Sequence, residues 1–362
     1  MRPGLKLLPC LARSGRLLQL TYLVSDRCNL RCPFCFRPPG DKAQPDNPSL
    51  AELSLAEVER LAPSLGRPYW LLVGGGEPFL RPDLAEVCRM LLMGARPAIL
   101  TIASNGSLPE EILRQTRAIV AAAGDTLVVV KLSLDALGAR HDELRGWPGG
   151  FARVMETYSL LRSLAAERAN LELGFNSVLT SQTLAGLPEL LDYVAVLPGR
   201  PAHTLSLARG ARTPAVFKAV APKDYLAAAR RLEAGARATG AGRYRFRGAG
   251  FKAALDEALH RLIHQAMLAG RRPVPCLAGR RSLVLEPGGE VRACEVLEGP
   301  EGSLGNLRDF GLDLGRLMAS PRARATVAAV ATGSCSCTHE CNLLVNLVAS
   351  PRLAPALARR FL

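Results

Sequence analysis

The sequence predicts an α/β protein: a partial (β/α)6 barrel followed by a small C-terminal unit built on a β-hairpin. Three observations carry that prediction. Apolar, β-rich runs alternate with amphipathic helical stretches through the first two-thirds of the chain. Runs such as Thr126–Leu134 are almost continuously apolar, which suits parallel strands covered on both faces. Polar or glycine-rich segments then follow each run, at the strand ends where a β/α barrel carries its active site.

The elements follow in order. Strands are expected at Leu18–Val24, Tyr69–Val73, Ala98–Ala103, Leu127–Leu134, Leu171–Leu179 and His203–Leu207. Between them, Ser54-x-x-Glu57 and Ser107-x-x-Glu110 read as capping boxes that satisfy the first N–H groups of helices. Right-handed crossovers would curl these units into a partial barrel over residues 15–250, with its motifs in 18–210. The loop Pro38–Pro48 is proline-rich but too short to separate domains. A helical connection at about 222–270 leads into a C-terminal domain, residues 251–362. There Ser282–Leu285, the turn Pro287-Gly288-Gly289 and Glu290–Ala293 read as a hairpin. The tail beyond Cys341 is apolar, then basic. Pro351 and Pro355 interrupt it, favouring a segment packed on the barrel over a membrane-surface helix.

A chain of 362 residues, 48% hydrophobic and 22% charged, has the composition of a soluble globular protein with a large core. No apolar run approaches the ~18 residues of a membrane span. Arg13 and Arg16 cut short any signal-peptide core, so a cytoplasmic location is expected, where the ten cysteines stay reduced. The formal charge of +14, from 46 Lys and Arg against 32 Asp and Glu, admits an acidic partner. The arginines are scattered, however, and aromatics make up only 5%, so composition explains the charge better than nucleic acid does.

The chemistry concentrates in Cys28-Asn-Leu-Arg-Cys32-Pro-Phe-Cys35, directly after the first strand. Three thiolates hold three corners of an iron–sulfur cube and leave the fourth iron open, as catalysis requires. The residues alone also admit three ligands of a zinc site, or buried inert thiols. The neighbouring strand ends narrow the choice. The second runs into Gly74-Gly75-Gly76-Glu77-Pro78 and the third into Ser104-Asn105-Gly106. The fourth carries Ser133 and Asp135, the fifth Asn176, and the sixth ends at Arg209-Gly210. Each is ordinary turn chemistry by itself. Together they mark one end of one sheet.

With these residues, 18–210 resembles the core of the radical S-adenosylmethionine (SAM) superfamily. The resemblance implies a [4Fe–4S] cluster on Cys28, Cys32 and Cys35, with SAM chelating the open iron through its amino and carboxylate groups. By the same likeness Gly75, Gly76, Glu77 and Pro78 bind the SAM amino group, the glycines letting backbone approach the ligand. Ser133, Asp135 and Asn176 would hold the ribose and carboxylate, with Phe34 near the adenine. Ser104, Asn105 and Arg209 complete the implied cofactor set. The implied reaction is reductive cleavage of SAM to a 5′-deoxyadenosyl radical, which abstracts hydrogen from substrate. An electron donor such as flavodoxin or ferredoxin is implied as partner. Cys88, in the helix after the second strand, is expected to be a buried structural thiol, and Cys10 is an unpromising hydrogen donor.

Five more cysteines, Cys276, Cys294, Cys335, Cys337 and Cys341, lie in the last ninety or so residues. Cys276, Gly289 and Cys294 form a pattern that resembles the start of the auxiliary-cluster domains called SPASM and twitch. Five thiols suffice for one auxiliary [4Fe–4S] cluster with one to spare; four zinc ligands are the rival. His339 among them is a candidate ligand, though an exposed loop residue is the expectation. About seventeen residues precede the first strand, short for a leader-binding domain, which tilts the substrate toward a small molecule over a peptide. An RNA-modifying enzyme and a non-catalytic iron–sulfur sensor are the alternatives. The sensor would not need Glu77, Ser133 or Asp135.

Overall fold

The computed structural model describes residues 16–37, 51–239, 249–297 and 299–350. Cys10, the Pro38–Pro48 loop and the tail with Pro351 and Pro355 lie outside the described residues. A nine-stranded sheet in the order β6-β5-β4-β3-β2-β1-β7-β8-β9 organises the chain. Its parallel strands are β1 (Gln19–Ser25), β2 (Trp70–Gly75), β3 (Ile99–Ser104), β4 (Leu127–Ser133), β5 (Leu171–Leu179) and β6 (Ala202–Leu207). These sit within two residues of the sequence expectation. The sheet is not closed: β6 is one edge, and β1 is covered by β7 (Ser282–Leu285), which runs parallel to it. Strands β8 (Glu290–Arg292) and β9 (Ser303–Asn306) continue antiparallel, so the expected hairpin extends the barrel's own sheet.

Helices cover the outer face: α1 (Leu55–Leu61), α2 (Leu84–Gly94), α3 (Pro109–Ala122), α4 (Gly138–Arg145), α5 (Gly150–Glu167), α6 (Leu187–Val196) and the short α7 (Ala215–Lys218). Two longer helices, α8 (Pro222–Thr239) and α9 (Ala249–Ala269), make the connection, followed by α10 (Leu314–Met318), α11 (Pro321–Thr332) and α12 (Glu340–Val348). Strand alternation decides which residues face the helices. Leu20, Tyr22 and Val24, then Leu71 and Val73, then Val128, Val130 and Leu132 are buried in the core. The opposite face of the same strands carries Thr21, Thr101, Lys131, Ser133, Asn176 and Thr204. That face is hollow and polar.

One expected cap forms and one does not. Ser54 and Glu57 make the full capping box at α1. Ser107 caps nothing: α3 starts a residue later with Pro109 in its first turn, and Asn29 donates to the Ser107 hydroxyl at 2.8 Å. Glu57 also receives Arg308, from the turn after β9, at 2.7 Å, joining the C-terminal segment to α1. The Arg308 hydrogen bond leads the causes that hold the Glu57 carboxyl down to about 2. Its stabilisation is therefore present above the unfolded value near 4.5 and lost as pH falls toward 2. Glu57→Gln is expected to cost about 1 kcal/mol at pH 7, after allowance for solvent screening. Urea unfolding at pH 7 and at pH 4 should show that cost shrinking in acid.

Candidate active site

The cysteine loop leaves β1 through a bulge, where Val24 is the extra residue between Leu23 and Ser25 opposite Gly74 and Gly75. The end of β2 then presses against it. Gly76 donates its N–H to Ser25 O at 2.8 Å, and Glu77 donates to Arg27 O at 2.8 Å. A Cβ on Gly75 would sit 2.2 Å from Ser25 O, and one on Gly76 2.1 Å from Arg27 O. Gly75 also adopts φ 127°, a region open to glycine. The close approach that these glycines allow is made here to the backbone that carries Cys28.

Glu77 is fully buried and engaged by its own chain. Ser104 Oγ donates to it at 2.9 Å, the Asn105 N–H at 2.6 Å and the Phe79 N–H at 3.2 Å. Burial pushes its carboxyl up to about 7, against those three donors. Pro78 opens the buried 3-10 turn that follows. Asn105 continues the network. Its Nδ2 reaches Asn29 Oδ1 at 2.9 Å and lies 4.0 Å from Cys28 Sγ. The Leu30 N–H points at the same sulfur at 3.4 Å.

Asp135, expected near the ribose or carboxylate of a ligand, is paired within the chain. Arg145, at the end of α4, donates to its Oδ2 at 2.6 Å, and the Val178 N–H donates to Oδ1 at 2.7 Å. Both side chains are buried. The carboxylate is paired with Arg145, which in turn lies 5.6 Å over the Phe34 ring and 3.9 Å from Cys32 Sγ. Phe34 packs edge-on against Phe217 at 6.0 Å and is buried. Sequence reasoning missed Arg145. The available signal was Asp135 itself, since a carboxylate buried at a strand end requires a cation.

Ser133, Asn176 and Thr204 are cross-strand neighbours in one row on the hollow face, all partly exposed. The Thr204 and Ser206 hydroxyls lie 3.0 and 3.1 Å from Asn176 Oδ1. Arg209 is ion-paired with Glu340 of α12 and lies 5.9 Å over the Phe36 ring, so its partner is the C-terminal segment. Arg37, at the far end of the cysteine loop, bridges Asp26 and Glu286, each at 2.6 Å. The C-terminal segment thus grips the loop directly.

Cys28, Cys32 and Cys35 are each half-buried. Burial is the leading cause that raises Cys28 to about 11 and lifts Cys32 also. Amide and guanidinium N–H groups face the sulfurs of Cys28 and Cys32. Such thiols ionise readily only with added positive charge, so the donor set suits ligation of a metal cluster. Cys276, Cys294 and Cys337 are buried, Cys341 is half-buried and Cys335 exposed. Asn342 donates to Cys294 Sγ at 3.0 Å. Among the described residues no three Cys, His, Asp or Glu side chains converge on the position of a single ion. His339 corrects its expectation: it is buried, with Nε2 3.1 Å from Glu295 Oε2. Burial opposes both charges, yet the pairing with Glu295 leaves His339 well above its ordinary value, and Glu295 is lowered to about 2. Cys88 is buried, as expected. No described helix is long and apolar enough to cross a membrane.

Residues 22–193 match the sequence profile of the radical SAM superfamily. The chain is 35% identical over 194 residues to the GTP 3′,8-cyclase of Synechococcus elongatus, 52% of this chain and 53% of that protein. It is 28% identical over 186 residues to the pre-heme d1 synthase of Dinoroseobacter shibae, 51% of this chain and 42% of that one. The chain thus spans about half the length of these relatives, or less. Its fold resembles that of anSMEcpe with bound AdoMet and the Cp18Cys peptide, with TM-score 0.56, 16% identity, and coverage of 95% of this chain and 99% of the other. SuiB of Streptococcus suis, bound to precursor peptide SuiA, matches with TM-score 0.57, 16% identity, and coverage of 97% and 76%. Both likenesses extend through the C-terminal segment.

Two substitutions test the site's framework. Gly76→Ala forces a methyl into Arg27 O and is expected to cost more than about 4 kcal/mol and most of the iron bound at the loop. Arg145→Met strands a buried Asp135 and is expected to cost about 3–5 kcal/mol. Chemical unfolding and iron analysis check both, and a stability loss below 1 kcal/mol at either position would contradict the account.

Proposed function

Residues 22–193 being a radical SAM domain, we propose that the protein is a radical SAM oxidoreductase or tailoring enzyme acting on a small molecule or peptide. The observation that carries this reading is the three-cysteine loop, held by backbone contacts possible only for glycine beside a hollow, polar sheet face. Cys28, Cys32 and Cys35 would hold a [4Fe–4S] cluster, with SAM bound beside Gly75–Pro78, Ser104, Asn105, Ser133 and Asn176. Loaded, these groups supply a 5′-deoxyadenosyl radical that abstracts hydrogen from substrate. The chain's own residues orient and shield. Arg145 keeps a positive charge near Cys32, Asn105 and the Leu30 N–H face Cys28, and Phe34 with Phe217 excludes water on one side. Asp135 acts through Arg145.

The second cluster belongs to the C-terminal segment. Cys276, Cys294 and Cys337 are its buried ligands, and either Cys335 or Cys341 is the fourth. A cytoplasmic location accords with ten cysteines and no disulfide among those described. A low-potential electron carrier would be the partner.

Anaerobic reconstitution with SAM and a strong reductant is expected to yield 5′-deoxyadenosine, and Cys32→Ala to abolish it. Product formation unchanged in Cys32→Ala would sink the proposal. Iron analysis of Cys335→Ala and Cys341→Ala is expected to show one variant losing about half the iron of wild type, as one of two equal clusters would, and the other keeping all of it; full iron in both would contradict the second cluster.

A further inference from the structure

Lys131 lies on the hollow face of β4, in a row formed by Ala103, Lys131, Gly174 and Ala202 across four strands. Its neighbours in that row are small. Ala103 is exposed although β3 is an inner strand, so space opens beside the lysine. Gly174 must stay small, because a Cβ there would sit 2.7 Å from Ala202 O. One row deeper, Thr21, Val129 and Glu172 are buried and close the floor. One row toward the mouth are Ser133, Asn176 and Thr204. Lys131 Nζ donates to Thr204 Oγ1 at 3.2 Å. Among the described residues no carboxylate pairs with it. A lysine has three N–H donors, and one neutral hydroxyl uses a single one.

We propose that Lys131, with Thr204, binds an anionic oxygen group of the substrate, a carboxylate or a phosphate, on the hollow face level with the Ser133–Asn176–Thr204 row. That the ligand is a substrate rests on the radical SAM reading. The Lys131 backbone lies about 6.6 Å below the Ser133 row, by the rise of two strand residues, and its ammonium rises to Thr204 in that row. SAM affinity, read in every variant, separates a substrate anion from the carboxylate of SAM. An ammonium in a recess lined by small residues gains a strong, charge-assisted partner from an anion placed there. The Lys131–Thr204–Asn176 contacts then tie the substrate's charge to that row. The residue would fix which hydrogen faces the mouth, and so would act in specificity.

The test uses the full-length reconstituted protein saturated with SAM, at constant ionic strength. Inorganic phosphate and malonate are titrated separately by calorimetry, to tell phosphate from carboxylate chemistry. One of them is expected to bind one-to-one. Lys131→Met should weaken it by at least about tenfold, the worth of a hydrogen-bonded charge. Lys131→Arg should largely restore it, and Ala103→Leu should block it with the charge intact. Lys223→Met, on the exposed surface of α8, should change nothing. SAM affinity should be equal in all variants. Binding of neither anion, binding indifferent to Lys131→Met, or a loss of SAM affinity in its place would overturn the proposal. Lys131-dependent anion binding in a protein that makes no 5′-deoxyadenosine would keep the anion site and reject the radical SAM reading.

Discussion

Everything at the mouth of this sheet depends on one close approach, that of the Gly75–Gly76 backbone to Ser25 and Arg27. Two hydrogen bonds and the absence of two methyl groups lock the start of the cysteine loop onto the end of β2. The same step brings Glu77 under the loop from β3, where it gathers Ser104 and Asn105. Asn105 then reaches back to Asn29. Cysteine loop, glycine segment and Ser104–Ser107 loop thus form one hydrogen-bonded unit, and no member can shift without the others.

A second framework closes the loop from the other side. The buried pair Arg145–Asp135 spans α4 and the end of β4, and carries positive charge to Phe34 and Cys32. Arg37 with Glu286, and Arg209 with Glu340, bind the barrel mouth to the C-terminal segment. That segment also extends the sheet through β7 beside β1. The candidate auxiliary ligands lie in loops beside, or in the first turn of, elements that are joined to the barrel by this sheet and these ion pairs. Such an attachment suits groups that must exchange electrons or position a substrate between them.

What was legible in the sequence follows from the range of the forces involved. Strand positions came from local apolar runs, and the hairpin from its Pro287-Gly288-Gly289 turn. The three cysteines and Glu77 stand in short motifs whose spacing is itself the signal. Interactions between distant residues were hidden. Ser107 has the local signature of a cap, but its hydroxyl is taken by Asn29 from 78 residues away. His339 sits in a polar stretch, yet Glu295 draws it inside. Asp135 stands at the expected strand end, but its pairing with Arg145, which α4 folds back onto it, was hidden. Lys131 looked like one polar residue in an apolar run; only the strand register shows the small neighbours around it.

The central claim is that Cys28, Cys32 and Cys35 hold a cluster whose open iron accepts SAM. Electron paramagnetic resonance of the reduced Cys294→Ala variant, freed of the auxiliary signal, tests it most directly. Added SAM is expected to change the spectrum of the remaining cluster, with Gly76→Ala showing little cluster at all. A spectrum identical with and without SAM, at SAM concentrations that saturate binding, would contradict the account.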